Sequence, residues 1–126
     1  MSRTILLAED DEASRKLYHA LLESEGYQVV DVGDGKAALE VLKNRSVDLL
    51  VTDVVMPEMG GGELVERLTA LRPDLKALYI SGYTNDEVLS RGVQGAETTF
   101  LHKPFTSEGL MRVVRGVLDR GAPATT

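Results

Sequence analysis

Three carboxylates, one hydroxyl and one ammonium stand at the ends of apolar runs in this chain. Glu9 and Asp10 follow "TILLA", and Asp53 closes "DLLVTD". Ser81 closes "KALYIS", and Lys103 follows "TTFLH" just before Pro104. Singly, each has an ordinary explanation. An Asp after a strand is most often a helix N-cap, Ser-Gly is usually a turn, and a Lys before Pro is usually a solvated charge. Together they describe a site. Carboxylates gathered at one edge raise one another's pKa unless a cation joins them. Hard oxygen ligands with no His or Cys beside them favour Mg²⁺, or Mn²⁺, over zinc. A divalent ion and Lys103 then balance Glu9, Asp10 and Asp53. Such a neutral site suits an incoming phosphoryl group, whose charge metal and lysine share. Asp53 becomes a nucleophile rather than a mere ligand.

These residues converge only if the apolar runs lie side by side. The runs at 4–8, 27–32, 48–53, 76–81 and 98–102 are β-branched and apolar on both faces, as strands covered by helices on both sides should be. Helical periods fill the gaps. Residues 12–25 place Ala13, Leu17, Ala20 and Leu21 on one stripe, with Gly26 as C-cap. Residues 35–44 offer Ala38, Leu39 and Leu42, with Asp34 as N-cap, and residues 62–71 offer Leu64, Val65, Leu68 and Leu71. A short helix over 85–92 would bury Val88 and Leu89. Residues 107–119 carry Leu110, Val113, Val114, Val117 and Leu118, the strongest helical period in the chain. Five β/α units in unbroken series predict an α/β fold, a doubly wound parallel sheet with helices on both faces. In such a sheet ligands bind beyond the carboxyl ends of the strands. Those are the ends that carry Glu9, Asp10, Asp53, Ser81 and Lys103. The second strand ends in a turn, Asp31 to Asp34, with no evident chemical partner.

At 126 residues the chain makes one domain, predicted over 1–121 with 122–126 as a flexible tail. No apolar run approaches the ~20 residues that span a bilayer, and the N-terminus reads as no signal peptide. The absence of cysteine points to a cytoplasmic home. A net charge of −6 without a basic patch argues against direct nucleic-acid binding.

The pieces "ILLAEDDE", "DLLVTDVVMPEMGGGEL", "LYISGYT" and "FLHKPF", with their spacing, resemble the receiver domains of bacterial two-component response regulators over residues 3–120. The resemblance implies a flavodoxin-like (βα)5 fold with strand order 2-1-3-4-5. It implies that Asp53 accepts a phosphoryl group from the phosphohistidine of a histidine kinase or a histidine phosphotransfer domain. Asp10 would bind Mg²⁺ directly and Glu9 through water, with the Val55 backbone carbonyl as a further ligand. Lys103 would pair with the carboxylate and then the phosphoryl oxygens. Ser81 would donate its hydroxyl to the new group, and Phe100 would turn inward as the aromatic switch. The face formed by 85–92, 98–102 and 107–119 would then bind an output partner or a second copy. "LYISGYT" and "KPFTSEGL" look most like receivers joined to hybrid histidine kinases, although a stand-alone regulator fits as well.

Departures are few. Gly60-Gly61 stands where the family often has Asp-Gly, which predicts a looser loop. Asp11 reads as an N-cap rather than a ligand. Val55 cannot orient water by hydrogen bonding, which predicts slow loss of phosphate. Met56 and Met59 plug the loop beside Asp53, and His19 and His102 read as surface residues with no partner spacing for a metal site or a catalytic triad. Gly60 to Gly62 lack the pattern of a nucleotide-binding loop. The alternative function is a Mg²⁺-dependent phosphohydrolase with an aspartyl nucleophile, but Val55 stands where such an enzyme needs a general acid.

Overall fold

The computed structural model describes residues 3–56, 58–81, 99–103 and 105–119, with the side chains of Ser81 and Thr99 outside that description. Its elements are β1 (Thr4–Ala8), α1 (Glu12–Ser24), β2 (Gln28–Val32), α2 (Gly35–Asn44), β3 (Leu49–Asp53), α3 (Gly61–Leu71), β4 (Lys76–Ser81), β5 (Thr99–His102) and α4 (Ser107–Asp119). The five strands form one parallel sheet in the order β2-β1-β3-β4-β5. The expected doubly wound fold is therefore the one observed. The helix expected over 85–92 and the tail expected at 122–126 lie outside the described residues.

Alternation along the strands divides the core. Ile5 and Leu7 of β1, Leu49 and Val51 of β3, and Leu78 and Ile80 of β4 face α1 and α4. Leu6, Ala8 and Leu50 face α2 and α3, where Ala38, Leu42, Leu64 and Leu68 cover them. Each of the leucine, isoleucine and valine side chains among these contributes roughly 1.5–3 kcal/mol on burial. β1 and β3 are sealed on both faces, whereas β2 at the sheet edge is only half-buried.

The caps follow local chemistry. The Asp11 carboxylate accepts from the Ser14 N–H at 2.9 Å, and Asp34 accepts from Ala37 N–H at 2.8 Å. Both therefore start helices, as expected. Gly26, one residue past the Glu25 C-cap, holds φ +96° and donates its N–H to the Glu23 carbonyl. This left-handed turn suits glycine. The Asp48 carboxylate takes the Thr4 N–H at 2.8 Å while its own N–H donates to the Thr4 carbonyl at 2.8 Å, and β3 begins at Leu49, one residue later than expected.

Two expected helix faces need correction. Ala13, Leu17 and Ala20 are exposed; α1 buries Tyr18 and Leu22, with Leu21 half-buried. The aromatic ring decides the rotation, because Tyr18 packs on Phe105 at 5.3 Å between centroids and covers more area than an alanine can. Leu71, the last residue of α3, is half-exposed. Met111 of α4 is buried and was absent from the expected stripe.

The glycine-rich loop is not loose. Gly61 is buried, its N–H donates to the Val54 carbonyl at 2.9 Å, and a Cβ there would stand 2.4 Å from the Asp53 carbonyl oxygen. The N-terminus of α3 thus rests directly on the backbone of Asp53. Met59 packs against Gly35, and Met56 is buried in the core under α2 and α3, so both plug the loop as expected. Gly61→Ala is expected to cost about 1–3 kcal/mol in urea unfolding through overpacking against rigid backbone; unchanged stability would contradict this contact.

Candidate functional site

The carboxyl ends of β1 and β3 lie adjacent in the sheet, so the residues that follow them meet. Glu9 is almost fully buried. Its N–H donates to the Val32 carbonyl at 3.1 Å, tying the residue to the end of β2. Its Oε2 accepts from the Asp11 N–H at 3.0 Å, while its Oε1 has no hydrogen-bond partner among the described residues. Asp53 ends β3 with Oδ1 accepting from the Val55 N–H at 3.2 Å and Oδ2 accepting from Lys103 Nζ at 3.1 Å. Lys103 Nζ also lies 3.8 Å from Glu9 Oε1. Asp10 is exposed, and one carboxylate oxygen each from Glu9, Asp10 and Asp53 falls within 4.8 Å of the others.

The electrostatics agree with the geometry. Burial, and then the nearby Asp53 carboxylate, push Glu9 up to about 7, although the Asp11 N–H and Lys103 oppose the shift. For Lys103, burial pulls downward, but Asp53 and Glu9 outweigh it and leave its pKa above the ordinary value. A buried carboxylate oxygen without a donor, beside two further carboxylates and no nitrogen or sulfur ligand, fits a hard divalent cation.

The expected site residues therefore divide in three. Glu9, Asp10, Asp53 and Lys103 come together. Val55 is half-buried beside them, joined through its backbone N–H. Ser81 lies in β4 with its backbone paired to His102, but its side chain is outside the described residues, as is Pro104. Phe100 is half-buried in β5 and stacks on buried Tyr79, with centroids 5.3 Å apart and planes at 23°. Burial pushes the Tyr79 phenol up to about 12, so it stays neutral.

A neighbouring polar group escaped the sequence analysis. His19, partly exposed on α1, has carboxylate neighbours: its Nδ1 lies 2.6 Å from Asp31 Oδ2 and its Nε2 lies 3.4 Å from Glu23. Asp31, expected to lack a partner, also faces Arg15 Nε at 3.7 Å. Arg15 donates from an Nη to the Glu9 backbone carbonyl at 2.9 Å. The available signal was the i, i+4 spacing of Arg15 and His19 on one helix opposite an Asp that ends a strand. His102 is exposed, as expected.

Comparison with known proteins agrees with this fold. The family described as the response regulator receiver domain matches residues 5–115. The chain is 37% identical to the response regulator receiver protein CpdR of Brucella abortus, covering 92% of this chain and 97% of that protein. It is 38% identical to the sensor kinase CckA of the same organism, covering 94% of this chain but 13% of the kinase. Among solved structures, a response regulator receiver protein from Sinorhizobium medicae superposes with a TM-score of 0.85 at 31% identity, covering 95% of this chain and 97% of that one.

The Glu9 shift carries a pH dependence. Between its ordinary value of 4.5 and about 7, the folded chain keeps a proton that the unfolded chain has released. Metal-free stability contributed by Glu9 is therefore greatest at low pH and declines as pH rises through that window. Urea unfolding in chelator should lose on the order of 2–3 kcal/mol across it relative to Glu9→Gln. Equal slopes for the two proteins would contradict the assignment.

Proposed function

The chain belongs to the response regulator receiver domain family of two-component signalling, and from that premise we propose that Asp53 is its phosphoacceptor. The observation that carries the reading is the Lys103 ammonium resting on Asp53 Oδ2 at 3.1 Å, beside two further carboxylates at the ligand edge of the sheet. An Asp53 carboxylate oxygen attacks the phosphorus of a phosphohistidine held by a histidine kinase or a histidine phosphotransfer domain. The bond from phosphorus to imidazole nitrogen breaks as the acyl phosphate forms. Lys103 then exchanges its carboxylate contact for the phosphoryl oxygens, whose charge it shares. Val55 N–H holds the other Asp53 oxygen and orients the carboxylate for attack.

Glu9, Asp10, Asp53 and the Val55 carbonyl would hold Mg²⁺, or Mn²⁺, which when bound neutralises charge on the transferring group. Ser81 would donate to the new phosphoryl group, and Phe100 would leave its half-buried position as that hydroxyl shifts. Phosphorylation then biases a two-state equilibrium read on the face of β5 and α4, where an output partner or a second copy docks. The chain acts as one receiver domain over 1–121, in the cytoplasm, and turns over no substrate pool. Its likeness both to a nearly full-length receiver protein and to 13% of a sensor kinase supports either a stand-alone or a kinase-attached setting.

Acetyl phosphate with Mg²⁺ should add one phosphoryl mass to the intact protein, and Asp53→Ala should remove the adduct. Lys103→Ala should slow its formation by roughly tenfold or more. Catalytic release of phosphate from many phosphoesters would overturn the switch reading. The apolar Val55 side chain cannot orient an attacking water, so the adduct should be long-lived. Val55→Asn should hasten its decay, and an unchanged rate would refute that role.

A further inference from the structure

The acidic site rests on a brace that contains none of its ligands. Arg15 lies in the first turns of α1, and its guanidinium reaches the Glu9 backbone carbonyl at 2.9 Å rather than any of the three carboxylates. The Glu9 N–H is already bound to the Val32 carbonyl. Both polar atoms of the Glu9 main chain are therefore tied, one to the end of β2 and one to α1. The carbonyl belongs to the peptide that leads into Asp10. Among the described residues, no hydrogen bond or ion pair holds the Asp10 carboxylate itself. What Arg15 holds is the peptide from which the Asp10 side chain departs.

Arg15 is held in turn. Asp31 at the end of β2 faces its Nε at 3.7 Å, and His19 one turn along α1 fixes the other Asp31 oxygen at 2.6 Å. Gly33 leaves the room, because a Cβ there would lie 3.1 Å from an Arg15 Nη. All three side chains of this chain of contacts are only partly exposed, at 21%, 32% and 29% for Arg15, Asp31 and His19. Shielding of this order lets hydrogen bonds to charged groups hold their geometry. Because the guanidinium is spent on main chain and on Asp31, it leaves the carboxylates of the site uncompensated for a cation.

We propose that Arg15 is a positioning residue for the cation site, aligning Glu9 and Asp10 through the peptide between them, with Asp31 and His19 as its support. The proposal rests on the reading of Glu9, Asp10 and Asp53 as that site. Groups that orient metal ligands from behind typically alter metal affinity 10–100-fold.

The test is Mn²⁺ titration of the full chain followed by electron paramagnetic resonance of the free ion, alongside urea unfolding in chelator. Arg15→Met keeps the apolar stem and removes the donors. It should weaken Mn²⁺ binding by about tenfold or more while the chelated protein unfolds close to wild type. Arg15→Lys, which retains one donor for the carbonyl, should recover part of the loss. Asp31→Asn touches nothing in the site and should weaken binding in the same direction by less, which tests the brace even if Arg15→Met unfolds. Wild-type Mn²⁺ affinity in Arg15→Met, or in Asp31→Asn where Arg15→Met does not fold, overturns the proposal. If wild type and Asp53→Ala bind Mn²⁺ equally, the reading of the site itself fails, and this inference falls with it.

Discussion

The repulsion among Glu9, Asp10 and Asp53 is the constraint on which the functional end of this molecule depends. Their oxygens approach within 4.8 Å because parallel pairing of β1 with β3 sets the two strand ends side by side. Neither strand can retreat. Ile5, Leu6, Leu7, Leu49, Leu50 and Val51 are fully buried, and moving either end would open the core on both faces. Charge is thus confined by packing, and Lys103 offsets only part of it. Burial adds to the strain: Glu9 Oε1 has no donor among the described residues, and burial first, with Asp53 after it, pushes the carboxyl up to about 7. Such a cluster fits the proposed hard divalent cation.

The same packing explains the loops. Asp53 is gripped at its backbone by Gly61, at one oxygen by Val55 N–H and at the other by Lys103. The carboxylate is therefore oriented before any partner arrives, which is how a protein lowers the barrier to group transfer without reorganising during it. Gly61 matters because α3 must start against the Asp53 carbonyl, a distance no side chain permits. An apparent slackness in the glycine run is a close approach.

Much of this was legible in the residues. Short apolar runs bounded by polar residues located the strands to within a residue, since strands covered on both faces read as continuous apolar stretches. The chemical residues were legible because they interrupt those runs at corresponding ends, as Asp53 does after Leu49, Leu50 and Val51. The rotation of α1 was not, because Tyr18 is counted as polar or apolar according to where its ring lands, and only Phe105 decides that. The brace of Arg15, Asp31 and His19 was also hidden. Arg15 and His19 share α1 but meet Asp31 on β2, and one of the bonds goes to a backbone carbonyl, which no side-chain pattern announces.

The central claim is that the phosphoryl group resides on Asp53 as an acyl phosphate. Borohydride reduction of the phosphorylated protein converts an aspartyl phosphate to homoserine, and peptide mass spectrometry then locates it. The account predicts homoserine at position 53 alone, dependent on a divalent cation. Conversion at position 10, or stable phosphate that resists reduction, would contradict it.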